Sequence, residues 1–262
     1  MILISSTLLG GLRLRKALSA ALIHLLISLF VGGLVALLIF LVWYPYPYQN
    51  LSGAGKLLFL VIAIDIVCGP LLTLIIFNPA KPKKELWRDM TLVVIIQLAA
   101  LGYGLWTVWQ ARPLYLVHEI DRFKVISLPA IDESAFAVLP DELKPKLWAG
   151  PLVVGIRAPK NSQEREIVMF ESTQGGRDYG ERPEFYIPYT PEVAVKAFIS
   201  AKPLAAFLQK HPTQQAAANK IGMDKGFNIL EARYVPVIAR QDWVAVVDKQ
   251  GTIQGFLKGD GF

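Results

Sequence analysis

Three apolar runs constrain this chain more than any other feature: Ala17–Trp43, Leu57–Phe77 and Thr91–Trp109. A helix rises about 1.5 Å per residue, so about 20 residues cross a hydrocarbon core of roughly 30 Å. Each run is long enough. Residues 110–262 read differently, with charges of both signs interleaved among short apolar stretches. The expected fold class is an integral membrane protein: a three-helix transmembrane bundle, residues 17–109, followed by an α+β domain, residues 110–262. Residues 1–16 are a short basic lead-in, too short to fold alone.

Arg13, Arg15 and Lys16 stand before the first run, as they would in a signal peptide. The apolar stretch is too long for a signal peptide, and no convincing small-residue cleavage site follows, so a retained anchor is expected. The net charge of +6 suggests nucleic acid until it is mapped. Residues 110–262 carry 19 Lys and Arg against 18 Asp and Glu, whereas residues 1–109 carry 8 against 3. The basic excess therefore flanks the apolar runs, where it sets orientation and does not form a phosphate-binding surface. Arg13, Arg15 and Lys16 lie before the first run, and Lys81, Lys83, Lys84 and Arg88 lie between the second and third. Only Lys56 falls in the loop between the first two. The positive-inside rule then puts the N-terminus in the cytoplasm of a bacterium and the C-terminal domain in the periplasm. The sequence Tyr44-Pro45-Tyr46-Pro47-Tyr48 in the outer loop is expected to lie at headgroup level, with Trp43, Trp106 and Trp109.

Polar side chains inside the runs are few. His24, Ser28, Asp65 and Gln97 are the ones able to form strong hydrogen bonds. Counted from the cytoplasmic ends, His24 and Gln97 lie roughly 10 Å deep and Asp65 roughly 18 Å, level with Ser28 and Tyr103. A lower layer of His24 with Gln97 and an upper layer of Asp65, Ser28 and Tyr103 is expected. Gly102 and Gly104 are expected to admit a neighbouring helix. Asp65 is costly at that depth and fits two roles: a neutral acid joining helices, or a contact for a partner's helix. Ion transport is a third and poorer reading. Gly69-Pro70 follows, and Pro70 removes the donor that would reach the Ile66 carbonyl, so a helix kink is expected there.

These segments carry a resemblance. His24-Leu25-Leu26-Ile27-Ser28, Trp43-Tyr44-Pro45, Asp65 through Gly69-Pro70-Leu71-Leu72-Thr73, Arg112-Pro113 and Asp121-Arg122-Phe123 resemble the type IV pilin accessory proteins, the TfpX/TfpZ family. The resemblance covers about residues 20–126. It implies an inner-membrane helper in type IV pilus biogenesis. Its partner would be a pilin, met through the pilin's transmembrane helix and also its head domain.

In the C-terminal domain, 114–127 reads as a strand pair broken at Asp121-Arg122, and 152–158 as a strand closed by Pro159. Helical spacing covers 164–172, 191–199, 203–209 and 213–221. Strands 234–239, 243–248 and 252–257 follow, the last two joined at Lys249-Gln250-Gly251. An antiparallel sheet is expected. Catalytic signals are weak. His118 and Glu119 alternate on a strand and face opposite ways, and His211 sits in a loop. Thr173-Gln174-Gly175-Gly176-Arg177 is a glycine-containing surface loop. The single Cys68 excludes a disulfide framework and a thiolate zinc site. No catalytic residue, metal or cofactor is expected. The expected function is a non-enzymatic accessory that binds pilin in the membrane, the alternative being a membrane-tethered periplasmic sensor or enzyme. The candidate contact residues are Asp65, Ser28, His24, Gln97 and Tyr103.

Overall fold

A computed structural model describes residues 2–146 and 148–262. They form two compact units, Met1–Leu41 with Ala54–Trp109, and Val42–Gly53 with Gln110–Phe262. The chain opens with α1 (Ile2–Leu38), continued by a π-helical turn at Ile39–Trp43, then the short α2 (Tyr48–Leu51), α3 (Ala54–Ile76) and α4 (Lys83–Gln110). Among the described residues, three helical stretches are long and apolar enough to cross a membrane: Arg13–Trp43, Leu58–Ile76 and Lys83–Gln110.

In the first unit, α1, α3 and α4 turn large apolar side chains outward, including Leu26, Phe30, Phe59, Ile75 and Leu98. Small residues mark the close approaches. A β-carbon at Gly104 would come within 2.5 Å of Val61, and one at Gly32 within 3.2 Å of Ile62, so α3 packs tightly at both points. Gly102 has open space beside it and admits no neighbour. Pro70 lies inside α3, which continues through it to Ile76.

The second unit contains β1 (Pro113–Glu119), β2 (Arg122–Ser127), β3 (Leu152–Ile156), α5 (Ser162–Thr173), β4 (Tyr186–Pro188), α6 (Pro191–Ser200), β5 (Lys202–Pro203), α7 (Leu204–Lys210), α8 (Gln215–Lys225), β6 (Arg233–Ile238), β7 (Trp243–Val247) and β8 (Ile253–Lys258). The strands form one sheet in the order β4-β3-β1-β2-β6-β7-β8, with β5 beside β6. The sheet is mixed, which corrects the antiparallel expectation: β1 runs parallel to β3, and β2 parallel to β6. The β1–β3 pairing follows from where β3 starts. After the hairpin of β1 and β2, residues 128–151 cross the end of the sheet where β2 stops, and β3 starts there on the far side of β1. A strand launched from that end runs against β2 and with β1.

Both faces of the sheet are covered. Leu116, Phe123, Val235, Val237, Ala245 and Val247 pack on one side, while Tyr234, Val244, Val246 and Leu257 meet Leu204, Phe207 and Ala218 of α7 and α8 on the other. Tyr115, Val117 and Ile126 are covered by Ile131, Leu139 and Leu143. This is why Leu114–Val117 and Val244–Val247 are unbroken buried runs without alternation. Local signals end the helices: Asn161 caps α5 by accepting from the Glu164 N–H at 2.7 Å, and Gly226, at φ +68°, stops α8.

The Tyr-Pro segment corrects a second expectation. It belongs to the second unit, where Tyr44 is fully buried and only Tyr46 of the three tyrosines is exposed. Tyr48 and Leu51 join the cluster of Leu116, Phe123 and Val235, and the Arg240 N–H donates to the Leu51 carbonyl at 3.1 Å. The connection between α1 and α3 is thus part of the core of the sheet domain.

Candidate functional site

The polar side chains of the first unit meet at one place. On α1, His24 and Ser28 are four residues apart and share a face. On α3, Asp65, Gly69 and Thr73 repeat at the same spacing, and α4 contributes Gln97. His24 Nδ1 lies 2.6 Å from Thr73 Oγ1. The Gln97 side-chain amide donates to Ser28 Oγ at 2.9 Å and to the Asp65 carbonyl at 3.1 Å. One side chain of α4 therefore ties α1 to α3.

This departs from the two expected layers. Gln97 joins Ser28 and Asp65, and the neighbour of His24 is Thr73, which the sequence reading passed over. Counting depth along straight helices ignored side-chain reach. Gly69 has no β-carbon, and one placed there would fall 2.3 Å from Gln97 Oε1, so its absence lets the amide lie across α3. Thr73 carried a readable signal, its spacing of four from Gly69 and eight from Asp65. Tyr103 is not in the cluster. It is 70% exposed on α4 and packs against Trp106, with ring centroids 5.9 Å apart.

A cavity of about 400 Å³ opens beside these groups, lined by His24, Ser28, Asp65, Thr73 and Gln97 together with apolar residues such as Ile23, Ile27, Val94 and Leu98. Ser28 and Thr73 are 3% and 4% exposed, and Asp65 only 8%. Asp65 Oδ1 and Gln97 Oε1 are buried and accept no hydrogen bond among the described residues. An unanswered acceptor in such a setting is costly. The arrangement suits a group that brings a hydrogen-bond donor on an otherwise apolar surface. Among the described residues no cluster of three or more His, Cys, Asp or Glu could hold a metal ion.

The chain is 37% identical over 245 residues to the fimbrial assembly protein, serogroup I, of Dichelobacter nodosus, covering 92% of this chain and 94% of that one. The chain belongs to the fimbrial assembly protein family. The serogroup E1 protein of the same organism is 36% identical over the same coverage, so the similarity to these two relatives runs through the sheet domain as well as the helices. The serogroup C1 and C2 protein is 50% identical over 105 residues, 40% of this chain and 80% of that relative. The family model described as fimbrial assembly protein FimB matches residues 12–53, which include His24, Ser28 and the Tyr-Pro segment. No solved structure matches the chain.

Proposed function

We propose that this chain is a non-enzymatic accessory protein of type IV fimbrial biogenesis that binds the membrane helix of the fimbrial subunit in the cavity between α1, α3 and α4. The observation that carries the biogenesis role is the 37% identity to a fimbrial assembly protein across 92% of the chain. The binding step is supported by the buried, unanswered acceptor of Asp65 beside an apolar cavity. In this reading α1, α3 and α4 span the inner membrane, the N-terminus is cytoplasmic and the sheet domain is periplasmic. The distribution of basic residues supports that orientation. It is also supported by the loop between α1 and α3, whose residues Val42–Gly53 group with the sheet domain in one unit and which carries none of the basic excess.

The test is complementation. Deleting the gene is expected to reduce surface fimbriae and twitching while subunit synthesis continues. Asp65→Leu keeps the size of the side chain but removes the acceptor, and is expected to restore fimbriae poorly at normal protein abundance. Full restoration by Asp65→Leu at normal abundance would remove Asp65 from the binding step. Normal fimbriation in the deletion strain would remove the biogenesis role.

A further inference from the structure

A second cavity, of about 840 Å³, lies wholly within the sheet domain and takes no part in the reading above. It opens where β1 and β3 end. These parallel neighbours send the chain in opposite directions, β1 back to β2 on one side and β3 through α5 to β4 on the other. Diverging exits leave a crevice beyond the carboxyl ends of parallel strands, the place where open sheets hold ligands. Its size falls in the roughly 300–1,000 Å³ range of such sites.

The lining combines three kinds of group. His118, 7% exposed, presents an Nε2 with no partner among the described residues, and Glu119 Oε1 is likewise buried and unpartnered. Burial keeps the imidazole neutral, pushing it down to about 4, and pushes the Glu119 carboxyl up. Ile120 and Met169 are 89% and 57% exposed, an apolar lip. Arg165 and Lys196 are exposed and form no ion pair among the described residues, unlike Arg122 and Arg157, which are bound to Asp121 and Glu164.

We infer that this crevice binds a peptide segment of a partner protein that carries an apolar side chain flanked by carboxylates. The unpaired cations meet the carboxylates, and the apolar lip takes the side chain. His118 and Glu119 answer backbone amides, which both donate and accept. Asp121 and Asp178 in the same lining are already paired, with Arg122 and Lys124, so Arg165 and Lys196 are left to meet the carboxylates.

The test uses the full chain in detergent and fluorescein-labelled hexapeptides containing one Leu or Phe and two Asp or Glu, followed by anisotropy. A matched set has Asn and Gln in place of the acids. The acidic set is expected to saturate, with the matched set about tenfold weaker. The double variant Arg165→Glu/Lys196→Glu is expected to weaken the acidic set about tenfold with unchanged circular dichroism, both side chains being exposed. Equal binding or non-binding of the two sets overturns the inference, as does an indifferent double variant. Saturable binding of dihexanoyl-phosphatidylglycerol that the double variant abolishes, without peptide binding, assigns the crevice to lipid and also overturns it.

Discussion

Gln97 of α4 lies so close to Gly69 of α3 that a β-carbon on the glycine would sit 2.3 Å from Oε1. The missing side chain is what lets one amide reach Ser28 and the Asp65 carbonyl together. Gly69→Ala should push the amide out and lose both bonds, an overpacking cost of about 1–3 kcal/mol. Gly102→Ala is the control, since nothing lies within 4 Å of that position. Unfolding in mixed detergent should separate the two variants, and equal stability would contradict the placement of Gln97.

The proposed orientation rests on the basic residues flanking the helices. Reporter fusions after Phe262 and after Trp148 should both read periplasmic, and a fusion at Lys83 cytoplasmic. A cytoplasmic reading after Phe262 would place the sheet domain on the wrong side for the proposed role.

Leu51 is fully buried in the sheet domain although it lies in the connection between the first two long helices. Leu51→Ala should cost that domain about 2–5 kcal/mol. Thermal unfolding of the full chain, followed by its β-sheet signal, should show the loss. An unchanged transition would mean that the connection is not part of this core.

The sheet domain should weaken in mild acid. Burial pushes His118 down from 6.5 to about 4, against the upward pull of nearby Asp121. Its ring packs on Phe123 and Tyr189. Between these values the unfolded chain takes up a proton that the folded chain refuses. Stability from this group is therefore complete above about pH 6.5 and lost as the pH falls toward 4, by up to about 3 kcal/mol. Glu119, raised by burial, titrates with the opposite sign, so the difference between wild type and His118→Asn isolates the histidine. The same pH slope in both proteins would contradict the burial of His118.

Hydropathy and charge made the three long helices legible, and propensity together with turn chemistry made most of the sheet domain legible. Asp121-Arg122 and Gly251 marked hairpins that the structure contains. What the sequence hid was non-local. Whether residues 128–151 return to the near or the far side of β1 depends on packing, and the parallel pairing of β1 with β3 followed from that choice. The three-residue β4 was too short to carry a periodic pattern. The Tyr-Pro segment reads as an interface belt by composition, yet Tyr48 and Leu51 fill a core made by residues more than sixty positions away. Within the bundle, the residue types of the polar cluster were readable and their partners were not, because Gly69 matters through the atoms it lacks.

The central claim is that a fimbrial subunit helix occupies the cavity beside Asp65, and crosslinking in cells tests it most directly. A photoreactive residue at Ile27, which lines the cavity, should capture the fimbrial subunit, whereas one at Tyr103, which does not, should capture little. Asp65→Leu in the Ile27 background should reduce the yield severalfold at unchanged abundance. Equal capture from Ile27 and Tyr103, or a yield indifferent to Asp65, would contradict the account.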